Sequence, residues 1–90
     1  MNKISWCDVA DSKGTKIVSS VLDIDGVFAN IQLHTIPGTY FFSSYDLGIG
    51  HADAVDLKTT NIETAKDSAE YLIMNRLNSL FNAMLHLEKW

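Results

Sequence analysis

The stretch KIVSSVLDIDGVFANIQLHTI, residues 16–36, decides the fold. Its centre, Asp25-Gly26, suits the two-residue turn in which both residues take positive φ, and apolar and polar residues alternate on either side. Such a turn sets the register. Ile24 faces Val27, Leu22 faces Ala29, Ser20 faces Ile31 and Val18 faces Leu33. Because strand side chains alternate, all eight share one face, and seven of them are apolar. The other face pairs Asp23 with Phe28, Val21 with Asn30, Ser19 with Gln32 and Ile17 with His34. One face is dry and must be covered. The other is mixed.

Outward from this hairpin, Ile4 to Val9 reads as a short first strand with Trp6 as its large apolar anchor, closed by the turn Asp11-Ser-Lys-Gly14. On the other side, Pro37-Gly38 leads into a strand from Thr39 to Tyr45. A tight hairpin there puts Phe42 opposite Leu33 and Tyr40 opposite Thr35 on the dry face, with Phe41, Ser43 and Tyr45 outside. Pro-Gly prefers a type II turn, whose twist suits a two-residue hairpin poorly, so a longer or bulged connection is expected. From Asp46 to Thr60 the chain reads as a loop, with a short strand near Ala54 to Lys58.

A long amphipathic helix completes the chain. Thr60-Asn-Ile-Glu63 fits a capping box. Ile62, Ala65, Ala69, Leu72, Ile73, Leu77, Leu80, Ala83, Met84 and Leu87 form one stripe, the natural cover for the dry sheet face. Met74, Phe81 and Leu85 form a second, with Tyr71 and Asn78 beyond. At ~1.5 Å per residue the helix outruns any sheet of eight- to ten-residue strands. Its C-terminal turns, which carry Arg76 as the single formal charge between Tyr71 and Leu87, must meet something else. The N-terminal segment with Trp6, a second copy of the chain and a partner protein are the candidates. Tyr71, Met74, Asn78, Phe81, Leu85 and Trp90 are the expected interface residues. The fold expected is a single α+β domain over residues 1–90: a four- or five-stranded antiparallel sheet with one long C-terminal helix on one face.

Ninety residues allow one modest core. The net charge of −4 argues against direct nucleic-acid binding, which depends on Lys and Arg neutralising phosphates, and against attachment to an anionic membrane. One cysteine, Cys7, allows no internal disulfide. Asp8 and Asp11 interrupt any signal-like apolar run, and no segment reaches the ~20 apolar residues of a membrane span, so a cytoplasmic protein is expected.

Catalytic and metal constellations are weak. His51 with Asp53 and Asp56, near Asp46, has the residue types of a metal or proton-transfer site, but ligands must converge from a fixed scaffold. A solvated acidic loop is the expected state, and no cofactor is expected. Gly48-Ile-Gly50 lacks the third glycine of a dinucleotide fingerprint. The outer sheet face carries Phe28, Asn30, Gln32, His34, Phe41 and Tyr45 without a Lys or Arg among them, which suits protein contact better than stacking on single-stranded nucleic acid.

Short strands followed by a helix opening Asn61-Ile-Glu-Thr-Ala-Lys-Asp-Ser-Ala-Glu70, with a Trp near the N-terminus (Trp6) and the Gly-turn-Tyr of Gly38-Thr-Tyr40, resemble small accessory proteins of bacteriophages and mobile elements. That set includes anti-CRISPR and other anti-defence proteins. The resemblance implies a non-enzymatic inhibitor that binds a bacterial protein in the host cytosol, with homodimerisation common; it carries over no functional residue. Asp46, Asp53 and Asp56 are then candidates to oppose a basic surface. Two alternatives stand beside it: a structural homo-oligomer assembled through the helix, and a small hydrolase or metal enzyme using the 46–56 loop.

Overall fold

The Asp25-Gly26 turn forms as its sequence requires. Both residues have positive φ, 50° and 89°, and the Asp23 carboxylate accepts the Gly26 N–H at 2.8 Å. In the computed structural model, which describes residues 5–87, this turn joins the central strands of a five-stranded antiparallel sheet. The strands follow chain order: β1 (Trp6–Ala10), β2 (Ile17–Ile24), β3 (Val27–Leu33), β4 (Tyr40–Ser43) and β5 (Val55–Asp56). The β2–β3 register runs from Ser19–Gln32 to Ile24–Val27 and coincides with the one that a two-residue turn dictates. The expected pairs Val18–Leu33 and Ile17–His34 fall beyond this ladder.

The next connection differs from a tight Pro37-Gly38 hairpin. Phe42 faces Ile31 and Tyr40 faces Leu33, two residues away from the tight-turn register. The link takes residues 34–39, contains a cis Ile36–Pro37 bond and is closed by His34 N donating to Thr39 O at 3.0 Å. A shift of two leaves the faces unchanged, because side chains alternate with period two. Phe42 and Tyr40 stay on the dry side, and Phe41 stays outside. β5 is shorter than the Ala54–Lys58 strand expected, and β1 begins at Trp6 rather than Ile4, which lies outside the described residues.

Helix α1 (Ile62–Leu87) packs across the dry face. Its cap is Asn61, one residue after the expected Thr60: Asn61 Oδ1 accepts from Thr64 N at 3.0 Å, and its carbonyl accepts from Ala65 N at 2.9 Å. A side-chain oxygen bonded to the third helical N–H satisfies a donor that the helix itself cannot. Glu63 therefore closes no capping box; it lies 3.6 Å from Lys66, still at the positive end of the helix dipole.

Ala65, Ala69 and Ile73 are the buried helix residues, set against Leu22, Ala29, Ile31, Tyr40, Phe42 and Leu47. Two alanines at the closest approach let the helix backbone lie near the sheet. Polar links tie the edge strand β1 to the helix. Trp6 Nε1 donates to Glu70 Oε2 at 2.8 Å, and Lys66 Nζ lies 3.0 Å from the Asp8 carboxylate, which also accepts from the buried Ser20 hydroxyl.

The helix outruns its cover. Twenty-six residues span ~39 Å, and the described chain measures 55 × 29 × 18 Å. Burial ends at Ile73. The sheet covers the stripe only to that residue, as a helix longer than its sheet requires; Leu77, Leu80, Met84 and Leu87 are exposed.

Candidate functional site

Two surfaces hold the residues singled out by sequence. The first is the projecting half of α1. Tyr71, Met74, Phe81 and Leu85 are exposed there, with Phe81 at 54% and Met74 at 63%, and so are Leu77, Leu80, Met84 and Leu87 of the other stripe. Asn78 is exposed beside them, and Trp90 lies outside the described residues. Of the three candidate covers, Trp6 is removed: its indole bonds Glu70, on the first half of the helix.

At 100° per residue from Ile73, the exposed apolar positions fill an arc of about 200°, from Leu87 through Leu80, Met84 and Leu77 to Tyr71. Arg76 stands outside this arc. Its Nε donates to the Leu47 carbonyl at 2.8 Å, so the one charge of the half-helix is turned to hold the loop after β4. A backbone carbonyl on a distant loop is a partner that helical periodicity cannot name. Where α1 leaves the sheet, an apolar groove of ≈ 320 Å³ opens between Leu22 and Ile24 of β2 and Tyr71, Ile73, Met74 and Leu77 of the helix, with Glu70 at its rim.

The second surface is the outer sheet face, and the structure divides it. At one end His34 stacks on Phe41, centroids 4.1 Å apart and planes 11° from parallel. Gln32 pairs with Phe41 in register, as does Asp56 from β5. The Thr39 hydroxyl donates to Asp56 Oδ1 at 2.7 Å; this bond, then the Lys58 N–H, holds the carboxyl below its ordinary value, with burial opposing and the charges of Lys58 and His34 helping.

At the other end the 44–53 loop folds back beside β3. It contains two 3-10 turns, Tyr45–Leu47 and His51–Asp53. β4 stops at Ser43, so Phe28 of β3 has no strand partner on that side. Side chains take over: Ser44 Oγ donates to Phe28 O at 2.6 Å, and Asp46 Oδ2 accepts Phe28 N at 2.7 Å. Asp46 thus completes the ladder. Tyr45 belongs to the first 3-10 turn rather than to β4 and meets His51 edge-on at 5.5 Å. Phe28, Asn30, Tyr45, Asp46 and His51 line a cleft of ≈ 320 Å³, with the Asn30 Oδ1 buried and without a protein hydrogen-bond partner.

No family model, no curated protein and no solved structure matches the chain. The three acidic candidates do not converge. Asp46 is bound to β3, Asp56 to Thr39 and Lys58, and Asp53 is exposed at the end of the second 3-10 turn. Among the described residues no three His, Cys, Asp or Glu side chains gather as a metal site would require, and no helix is long and apolar enough to cross a membrane. Cys7 lies on the exposed outer side of β1, opposite Val21.

Proposed function

We propose that this chain is a non-enzymatic protein-binding module, an inhibitor of the anti-defence kind that occludes a bacterial protein, with the projecting half of α1 as the surface through which it works. One observation carries the reading. A helix that packs against a single neighbour needs an apolar stripe of ~100°, whereas here about twice that width is exposed to solvent. Contiguous apolar surface of this extent on a small chain marks an interaction site. Aromatic residues and Met with little Lys or Glu match the composition of interface cores. The resemblance to phage accessory proteins supports occlusion as the mode of action, and the net charge of −4 suits a target that is basic where it holds nucleic acid.

The test is affinity purification from bacterial lysate followed by mass spectrometry, with the wild-type chain and Phe81→Glu as parallel baits. A protein retained by the wild type and lost with Phe81→Glu is the expected result. The same proteins on both baits, or the chain alone on each, overturns the inhibitor reading.

A further inference from the structure

Ile73, Leu77, Leu80, Met84 and Leu87 follow one another at spacings of four, three, four and three, the a/d alternation by which one helix packs along another. Met74 and Phe81 stand beside this seam at the flanking position, which gives the broader apolar face of a helix in a bundle. The first seam residue, Ile73, is covered by the sheet of its own chain, and the rest are exposed. The same face therefore has a socket at one end, the groove between Leu22, Ile24, Met74 and Leu77, and a bare apolar helix end at the other, with Leu87 72% exposed. From Ile73 to Leu87 the two are ~21 Å apart along the axis.

We infer that the occupant of this face is a second copy of the chain, laid antiparallel so that each Leu87 end seats in the other's groove at Leu22 and Ile24. The inference rests on the projecting half of α1 being a contact surface and names what covers it. An antiparallel two-fold pair centred near Leu80 sets Leu77 against Met84 of the other copy and Ile73 beside its Leu87, and it fills both sockets at once. A parallel pair would bring the two sheets side by side and leave both sockets open. A face that carries a socket and its filler at opposite ends is self-complementary under a two-fold axis, which closes the assembly at two copies.

The area is that of a small interface. Six large apolar side chains on or beside the seam, Met74, Leu77, Leu80, Phe81, Met84 and Leu87, are 40–72% exposed. At ~150–200 Å² for a large side chain, half exposure of the six comes to on the order of 450–600 Å², to which the groove walls at Leu22 and Ile24 add, against ~800 Å² per partner in a standard interface. The one charge of the half-helix does not oppose the pairing, since Arg76 is turned away to Leu47, and Glu70 at the groove accepts from the Trp6 indole. The two sheets then stand at opposite ends of the helix pair, and the part of the exposed arc away from the seam, at Tyr71 and Leu85, stays open to a target.

Light scattering on the full chain tests the pairing, and paramagnetic broadening tests its direction. The expected mass is twice that of one chain, falling to one chain in Leu80→Glu or Phe81→Glu while far-ultraviolet circular dichroism keeps its helical signal. A nitroxide on His86→Cys in a Cys7→Ser background, mixed with unlabelled-side-chain ¹⁵N protein, should erase the amide signals of Leu22 and Ile24. Broadening confined to residues around Leu87 means a parallel pair and overturns the inference. So does a monomer at every accessible concentration; if a foreign protein is then still lost with Phe81→Glu, the binding-module reading survives, and if none is, both fail.

Discussion

The guanidinium of Arg76 donates from Nε to the carbonyl of Leu47, 2.8 Å away, and so joins the point where α1 leaves the sheet to the 3-10 turn after β4. Charged hydrogen bonds of this kind contribute about 1.5–3 kcal/mol when partly shielded from water. Arg76→Ala should lower stability by about 1–2 kcal/mol, read as a shift in the urea midpoint with unchanged slope. Gly48, which follows Leu47, has φ 78°, and a Cβ there would stand 3.1 Å from an Arg76 terminal nitrogen. Gly48→Ala should cost about 1 kcal/mol or more, from the left-handed backbone and the displaced guanidinium together.

The two halves of α1 should answer oppositely to truncation. Ile73 is 3% exposed in the core, and Ile73→Ala should cost about 2–4 kcal/mol at any protein concentration. Leu80 is 44% exposed, and Leu80→Ala should leave the unfolding of the separated chain within about 1 kcal/mol of wild type. In the paired state its effect should grow with protein concentration, because assembly stabilises the folded chain by mass action. Thermal scans across a concentration series distinguish the two.

Acid should unfold the chain in part through Asp8. The Ser20 hydroxyl holds its carboxyl below the ordinary 3.8, burial opposes, and Lys66 adds to the lowering by hydrogen bond and charge. A depressed folded-state pKa means stability that is fully present above the unfolded value and is lost as pH falls through the folded one. Asp11 and Asp56 shift the same way, held first by the hydroxyls of Thr15 and Thr39. The urea midpoint should therefore fall as pH drops below about 4. Asp8→Asn should start from a lower plateau and fall less steeply.

The central turn offers a check on the sheet. Gly26 has φ 89°, and Gly26→Ala should destabilise by about 1 kcal/mol while leaving the β2–β3 register intact, since the register is also held by Leu22, Ala29 and Ile31 in the core. Amide exchange at Ile31 and Leu22 reads this directly.

Much of the sheet was legible because its information is local. Asp25-Gly26 and the alternation around it determine which residues of β2 and β3 face each other, and parity alone keeps Phe42 and Tyr40 on the dry side even though the next register is displaced by two. The length of α1, its single charge between Tyr71 and Leu87 and the shortfall of any sheet beside it were equally plain. What could not be read were contacts between residues far apart in sequence: Arg76 with Leu47, Asp46 with Phe28, Trp6 with Glu70, Thr39 with Asp56. Each depends on where a loop or an edge strand comes to rest, and periodicity carries no term for that.

Local pattern is thus enough for an antiparallel sheet with one dry face and a helix too long for it. Where cover ends depends on packing. Ala65 and Ala69 bring the helix down onto the sheet, Ile73 is the last residue that β2 and β3 can shield, and from Leu77 onward both apolar stripes are exposed alike. The seam that closes the core and the exposed seam beyond it are one stripe, divided by the edge of the sheet.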